Sequence, residues 1–559
     1  MTAGRRIPGR RTLHALAAAL GLAAGACARP ATPSAAAVRA PLARGPLTRA
    51  ERTGYTETSR YADVTSFLDT LARLAAARGT PLHVGSLGRS GEGRDLPLVV
   101  ASRPLVRTPQ EARRLGRPIV FVQGNIHAGE VEGKEALQML LRDLALASGP
   151  NVLDSLVLLA VPIYNADGNE WPASQAVQRT EQNGPELVGQ RPNAAGLDLN
   201  RDYVKAEAPE TRAALAALNA WDPDAFVDLH TTDGSYHGYA LTWSPSLHPS
   251  APLRAFNQDT LLPRVAEGAA RRGVRTFPYG NFATQYGADV TTDTTRQGWF
   301  SYDHRPRFGT NYYGLRGRLA ILSEAYSHDP FARRVEATYV FVGELLSSLA
   351  AAWADPATRA RRFGPAADTA LALRAVLTTR PTTRAVIAED LARAPDTTRL
   401  TEPGVPRGLR RTGRFRTLQL RVHDRFEPTL VRALPRRGWA LAADAPGADS
   451  AVARLRLHGV EVRRRDAAAE DELVAAFVPD SVVRAARPFQ GHREVRLEGA
   501  WRRGPRTLAP GGWWIPADQP RALVALLLLD PQSDDGLATW NVFDAALAPG
   551  REFPVLRVE

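Results

Sequence analysis

Residues 118–130 read Pro-Ile-Val-Phe-Val-Gln-Gly-Asn-Ile-His-Ala-Gly-Glu. The first six residues form a short apolar run, the pattern of a strand buried on both faces. A glycine turn follows. His127 and Glu130 then stand three residues apart, so both side chains can converge on one ion at a tight turn or helix start. Residues 131–144 continue with helical periodicity. Further buried-strand candidates lie at 156–163, 225–229 and 319–323, and Tyr61–Ala77 spaces Val64, Phe67, Leu68, Leu71 and Leu74 as a helix. Strands alternating with helices predict an α/β layer fold with a mostly parallel sheet, whose ligands gather at the carboxyl ends of the strands.

Those strand ends carry the chemistry. His230 follows the run Ala-Phe-Val-Asp-Leu at 225–229, with His237 nearby as a fallback ligand. Two histidines and a carboxylate, with a fourth position left for water, form the donor set of a hydrolytic zinc site. A buried structural histidine is the ordinary alternative for His230. Glu324 ends the run 319–323; a carboxylate leaving a buried strand has a raised pKa and suits general-base work. Pairing with one of the many arginines is its ordinary alternative. Between them lies Gly196-Leu197-Asp198-Leu199-Asn200-Arg201. Read as an extended segment, it turns Asp198 and Asn200 to one side, and Arg201 offers a planar fork for a carboxylate.

The ordered set HAGE, GLDLNRDY, VDLH and LSEAY resembles the zinc carboxypeptidase (funnelin) family, and residues 85–98 resemble its early strand pair. The resemblance covers about Tyr55 to Ala352. It implies one zinc ion on His127, Glu130 and His230, with Asp198 hydrogen-bonded to His127 from behind. Glu324 would be the general base, Asn200 and Arg201 the clamp for the substrate's terminal carboxylate. Arg191 would polarise the scissile carbonyl, with Arg179 as the alternative. The family's mobile tyrosine falls on Tyr302, Tyr312 or Tyr313; spacing favours Tyr302, and Tyr313 is assigned to substrate binding. Asp202, where the family more often has Asn, would either favour a positively charged substrate or pair with Lys205.

The rest of the chain frames this region. Of 559 residues, 44% are hydrophobic, enough to bury a sizeable core. Lys and Arg total 71 against 58 Asp and Glu, a net charge of +13, but lysine occurs only at Lys134 and Lys205. So arginine-skewed a composition, with no compact basic run among aromatics, argues against a nucleic-acid partner. The single cysteine, Cys27, excludes a disulfide framework and a Cys-rich metal site. It follows a basic stretch and a short apolar stretch, and Ala24-Gly25-Ala26-Cys27 resembles a lipobox. Residues 1–27 are therefore read as an export signal, also loosely twin-arginine, with Cys27 as a lipid anchor on the cell envelope; an ordinary cleaved signal is the alternative.

Residues 28–50 read as a tether, 51–352 as the catalytic domain, 353–405 as a connector with one or two helices, and 406–559 as a smaller β-rich or α+β accessory domain. Its distinctive residues are Trp513-Trp514, Asp534-Asp535 and Trp540-Asn541, and residues 536–540 could dock on the catalytic part. The functional expectation is a zinc metallocarboxypeptidase acting on the C-termini of exported or environmental peptides. A cell-wall stem-peptide peptidase in the same fold and a non-catalytic zinc-bearing binding lipoprotein are the alternatives.

Overall fold

An eight-stranded mixed sheet forms the centre of residues 82–325. The computed structural model describes residues 45–80, 82–282, 298–355, 370–395 and 409–559. The expected export signal, Cys27 and most of the expected tether lie outside them. The strands are β1 (His83–Arg89), β2 (Asp95–Ala101), β3 (Ile119–Gly124), β4 (Val157–Val161), β5 (Ala225–Thr231), β6 (Leu241–Pro245), β7 (Thr276–Pro278) and β8 (Leu319–Ala325). Their order is β1-β2-β4-β3-β5-β8-β6-β7. The central pairs β4–β3, β3–β5 and β5–β8 are parallel. The early pair β1–β2 is antiparallel, as are β2–β4 and β8–β6.

The central strands are apolar runs because helices cover both faces. Helix α1 (Tyr61–Ala77) buries Val64, Phe67, Leu68 and Leu71, the stripe expected from the sequence. Helix α2 (Glu132–Leu146) follows the His127–Glu130 turn, and α3 (Phe331–Ala354) follows β8. A Cβ on Gly133 would meet the Leu229 Cβ at 2.8 Å, so glycine there allows α2 to lie close against β5. The contact sets the distance between the first two candidate ligands and the third.

A single helical turn at Arg49–Arg52 buries Ala50 beside Val131, Val188 and Phe331, so the last residues of the expected tether are packed onto the fold. The expected connector also differs. Among its described residues it also holds strands β9 (Ala370–Thr378) and β10 (Thr383–Arg393), and the rest of it, residues 356–369 and 396–405, lies outside the described residues. They pair with β12 (Arg425–Ala433) and β11 (Leu409–His423), so residues on both sides of the expected 405/406 boundary share ribbons.

The remainder is β-rich, as anticipated, with a six-stranded sheet that includes β13 (Gly438–Leu441), β14 (Ala469–Arg484), β15 (Val495–Leu508), β16 (Trp513–Pro516) and β17 (Val555–Val558). The run Ala522–Leu529 is a wholly buried helix. Trp540, in the anticipated docking strip, lies over Arg307 at 4.5 Å and Lys205 at 5.3 Å. The described residues form one compact unit.

Candidate metal centre and catalytic cleft

The turn after β3 is built by local chemistry. Asn125 takes a left-handed φ of 66°, which asparagine tolerates better than most residues, and its Nδ2 donates to the carbonyls of Ala128 and Glu130. The Glu130 N–H donates to the His127 carbonyl, closing the turn. A Cβ on Gly129 would sit 2.9 Å from both the Arg179 side chain and the Gly189 carbonyl. Small residues between the two ligands are therefore a steric requirement.

His127, Glu130 and His230 converge as anticipated: one donor atom from each lies within 4.8 Å of the others, and all three residues are buried. His127 Nδ1 is 2.9 Å from Glu130 Oε1, and His230 Nδ1 is 3.0 Å from Glu130 Oε2. The opposite ring nitrogens are also engaged. His127 Nε2 lies 3.1 Å from Asp198 Oδ1, and His230 Nε2 lies 3.0 Å from Asp228 Oδ2. Each histidine thus points one nitrogen at a common centre; the other nitrogen of His127 is bonded to Asp198, which fixes its tautomer, and that of His230 faces Asp228 and the Asn200 amide. The donor set suits zinc.

Burial would raise the Glu130 pKa, but His127 and Arg179 outweigh it and hold the carboxylate ionised. Asp198 is similar: burial opposes ionisation, and His127 and Arg191 keep its pKa well below the usual range. Glu324 is pushed the other way. Burial lifts its pKa well above the ordinary carboxylate value; His230 opposes the shift, and Glu130 and Asp233 add to it.

These groups share one cleft, lined by the three candidate ligands, Arg191, Asn200, Arg201, Asp233, Tyr279, Tyr302, Phe308, Leu322 and Glu324, among others. The two candidate arginines separate here. Arg191 faces the cleft and holds Asp198 Oδ2 at 2.9 Å. Arg179 lies beneath the centre, bonded to Glu130 Oε1 at 3.1 Å and to the carbonyls of Thr231 and Thr232, so it supports a ligand. Arg201 lies 3.9 Å from the Phe308 ring centroid.

The tyrosines separate as well. Tyr302 lines the cleft, packed edge-on to Tyr279 at 5.6 Å. The substrate-binding role expected for Tyr313 fails: it is wholly buried, and its hydroxyl donates to the Pro223 carbonyl at 2.6 Å. Tyr312 bonds His458 in the core. His237 is no ligand; it packs on Tyr326, and burial lowers its pKa to about 3. Asp202 pairs with Lys205 at 2.9 Å and accepts the N–H groups of Glu207 and Ala208, so it faces no substrate. Residues Leu199–Arg201 form a 3-10 turn capped by Asp198 instead of the extended segment anticipated.

Asp228, Asp233, Tyr279, Phe308 and Leu322 were not anticipated. Strand alternation could have found two of them, since Asp228 and Leu322 stand two residues before His230 and Glu324 and so share their faces.

Residues 67–310 match the zinc carboxypeptidase family. Carboxypeptidase 2 of Trichophyton rubrum is 25% identical over 224 residues, covering 37% of this chain and 38% of that protein. Carboxypeptidase Z of Mus musculus is 34% identical over 140 residues, 24% of this chain and 20% of that protein. The chain thus spans about two fifths or less of the length of these relatives. Among solved structures, a metallo-carboxypeptidase from Burkholderia cenocepacia is similar at 20% identity and a TM-score of 0.36, covering 51% of this chain and 68% of that one.

Proposed function

We propose that this chain, whose residues 67–310 match the zinc carboxypeptidase family, is a zinc-dependent metallocarboxypeptidase that removes C-terminal residues from exported or environmental peptides. One observation carries the reading: the His127–Glu130–His230 triad, the Glu324 carboxyl and the Arg191 and Arg201 guanidinium groups all line a single cleft. Zinc held by the triad supplies Lewis acidity toward the scissile carbonyl and toward water.

The chain's own residues do the rest. Glu324 takes a proton from the attacking water and returns it to the leaving amine, a task suited to a carboxylate whose pKa burial has raised. Arg191 stabilises the charge that develops on the carbonyl oxygen. Arg201, with the Asn200 side chain beside it, binds the terminal carboxylate and so sets cleavage one residue from the end. Tyr302 closes the cleft wall near Glu324. Export and lipid anchoring through Cys27 place the enzyme at the cell envelope.

The test is a peptide-library digest with zinc-loaded protein and mass-spectrometric readout. Loss of single C-terminal residues supports the reading. Internal cleavage, or hydrolysis of muropeptides alone, overturns it. Labelling of the full chain with a radioactive fatty acid, lost in Cys27→Ser, tests the anchor.

A further inference from the structure

One hydrogen bond reaches the centre from 292 residues away in sequence. The Asp198 N–H donates to Gln490 Oε1 at 2.9 Å. Asp198 is the residue that orients His127, so the accessory part touches the metal centre through a single intermediary. Resting on the function proposed above, we propose that Gln490 is a positioning residue for the reaction, fixing the Asp198 backbone so that its carboxylate holds His127.

The local structure supports this. Phe489 and His492 exchange backbone hydrogen bonds at 2.7 and 3.0 Å around Gln490 and Gly491. Both central residues have positive φ, 51° and 80°. This is a two-residue hairpin turn of the type that favours Asn-Gly or Asp-Gly. Glutamine takes the left-handed position at a steric cost that asparagine would reduce. Its extra methylene extends the reach of the amide oxygen toward Asp198.

The hairpin is itself anchored. His492 Nε2 lies 3.0 Å from Glu207 Oε1, and His492 Nδ1 lies 3.1 Å from Asn541 Oδ1. The other side of the Asp198–Arg201 turn is held from the same region. Asp535 accepts from the Arg307 N–H at 2.5 Å and from Arg307 Nε at 3.0 Å. The residues that follow Arg307 then reach the turn: Phe308 lies over Arg201, and the Gly309 N–H donates to Asn200 Oδ1 at 2.9 Å. The turn carrying the His127 partner and the carboxylate clamp therefore sits between two supports that trace to residues 490–535. Gln490 and Asp535 thus brace the turn, which gives the accessory region a role that its sequence motifs do not state.

The test uses the full chain with three variants. Gln490→Met keeps the side chain's length and loses the acceptor; Gln490→Glu keeps the acceptor; Gln490→Asn withdraws it by one methylene and replaces the Met variant if that one fails to fold. The readouts are cobalt affinity and visible spectrum, kcat and KM on a C-terminal peptide, and Tm. Gln490→Met is expected to weaken cobalt binding and kcat about tenfold, the lower end for residues that orient a metal ligand, at unchanged Tm, with recovery in Gln490→Glu. Wild-type cobalt affinity and kcat in the Met variant overturn the proposal. So does a loss that tracks a fall in Tm and is not recovered by Glu. If the wild-type protein removes no C-terminal residue, the function proposed above fails, and the cobalt readout still decides the role of Gln490 alone.

Discussion

Glu324 stands directly opposite His230 in the parallel pairing of β8 with β5. Alternation along a strand turns both side chains to the same face, so a candidate ligand and a candidate base meet across one interstrand spacing. Their separation is set by backbone hydrogen bonds rather than by flexible loops. Glu324→Gln keeps the shape and removes the basicity. It is expected to retain one zinc per chain by elemental analysis and to lose about 10³-fold in kcat, within the range for a general base. Normal turnover in this variant would refute the mechanism.

Arg191 and Arg179 make a paired prediction. Arg191 lines the cleft, so Arg191→Ala is expected to lower kcat about 10²-fold with zinc content intact. Arg179 is buried on Glu130, so Arg179→Ala removes the guanidinium that balances a buried carboxylate and serves two carbonyls. It is expected to destabilise the fold by about 3–5 kcal/mol in urea titration. If the two phenotypes are exchanged, the assignment of roles is reversed.

Metal removal provides a third test. A chelator is expected to abolish hydrolysis and zinc to restore it. Because a folded site binds the ion and an unfolded chain largely does not, excess zinc should also raise Tm. The gain is about 4 kcal/mol at a thousandfold excess over Kd. Recovery of activity without a change in Tm would place the activating metal elsewhere than His127, Glu130 and His230.

The catalytic core was legible because its signals are local. Buried parallel strands are near-continuous apolar runs, and each candidate ligand follows one directly, so His127, Glu130, His230 and Glu324 could be read with their supports. Tyr313 was misread because spacing from Glu324 does not report direction on a helix, and Gly309–Leu315 turns that side chain into the core. The strands β9 and β10 were not legible because they are stabilised by pairing with strands about 20 to 60 residues further on, which local periodicity cannot show. Gln490 left no signal at all. Its meaning lies in one contact across 292 residues.

Asp535 supplies a fourth prediction. It is wholly buried, with both carboxylate oxygens on Arg307. Among the described residues, Asp535→Ala leaves Arg307 with one carboxylate, Glu494 at 2.6 Å and near the surface, beside the Trp540 ring. The expected cost is about 3 kcal/mol in urea titration. Because Arg307 leads into Phe308 and Gly309, KM for a peptide with a free C-terminus should rise several-fold while zinc content holds. A variant that loses stability with unchanged KM would show that this brace does not reach the clamp.

The His492–Glu207 contact adds a pH dependence whose sign is fixed. A hydrogen bond to Glu207 raises the His492 pKa above its ordinary 6.5, against an opposing effect of burial. Burial would raise the Glu207 pKa, but His492 and Lys205 outweigh it and bring it below its ordinary 4.5. A histidine with a raised pKa contributes stability that is complete below 6.5 and disappears as pH climbs through the raised value. A carboxylate with a lowered pKa contributes above 4.5 and loses its contribution as pH falls through the lowered value. The pair is therefore strongest between those limits. Its side chains are 20% and 27% exposed, and screening by solvent holds its worth to at most about 1 kcal/mol. Urea midpoints of the wild type and His492→Ala should differ most near pH 5.5 and converge in alkaline and strongly acidic solution. A difference that instead grows with pH would mean that His492 holds the hairpin in its neutral form.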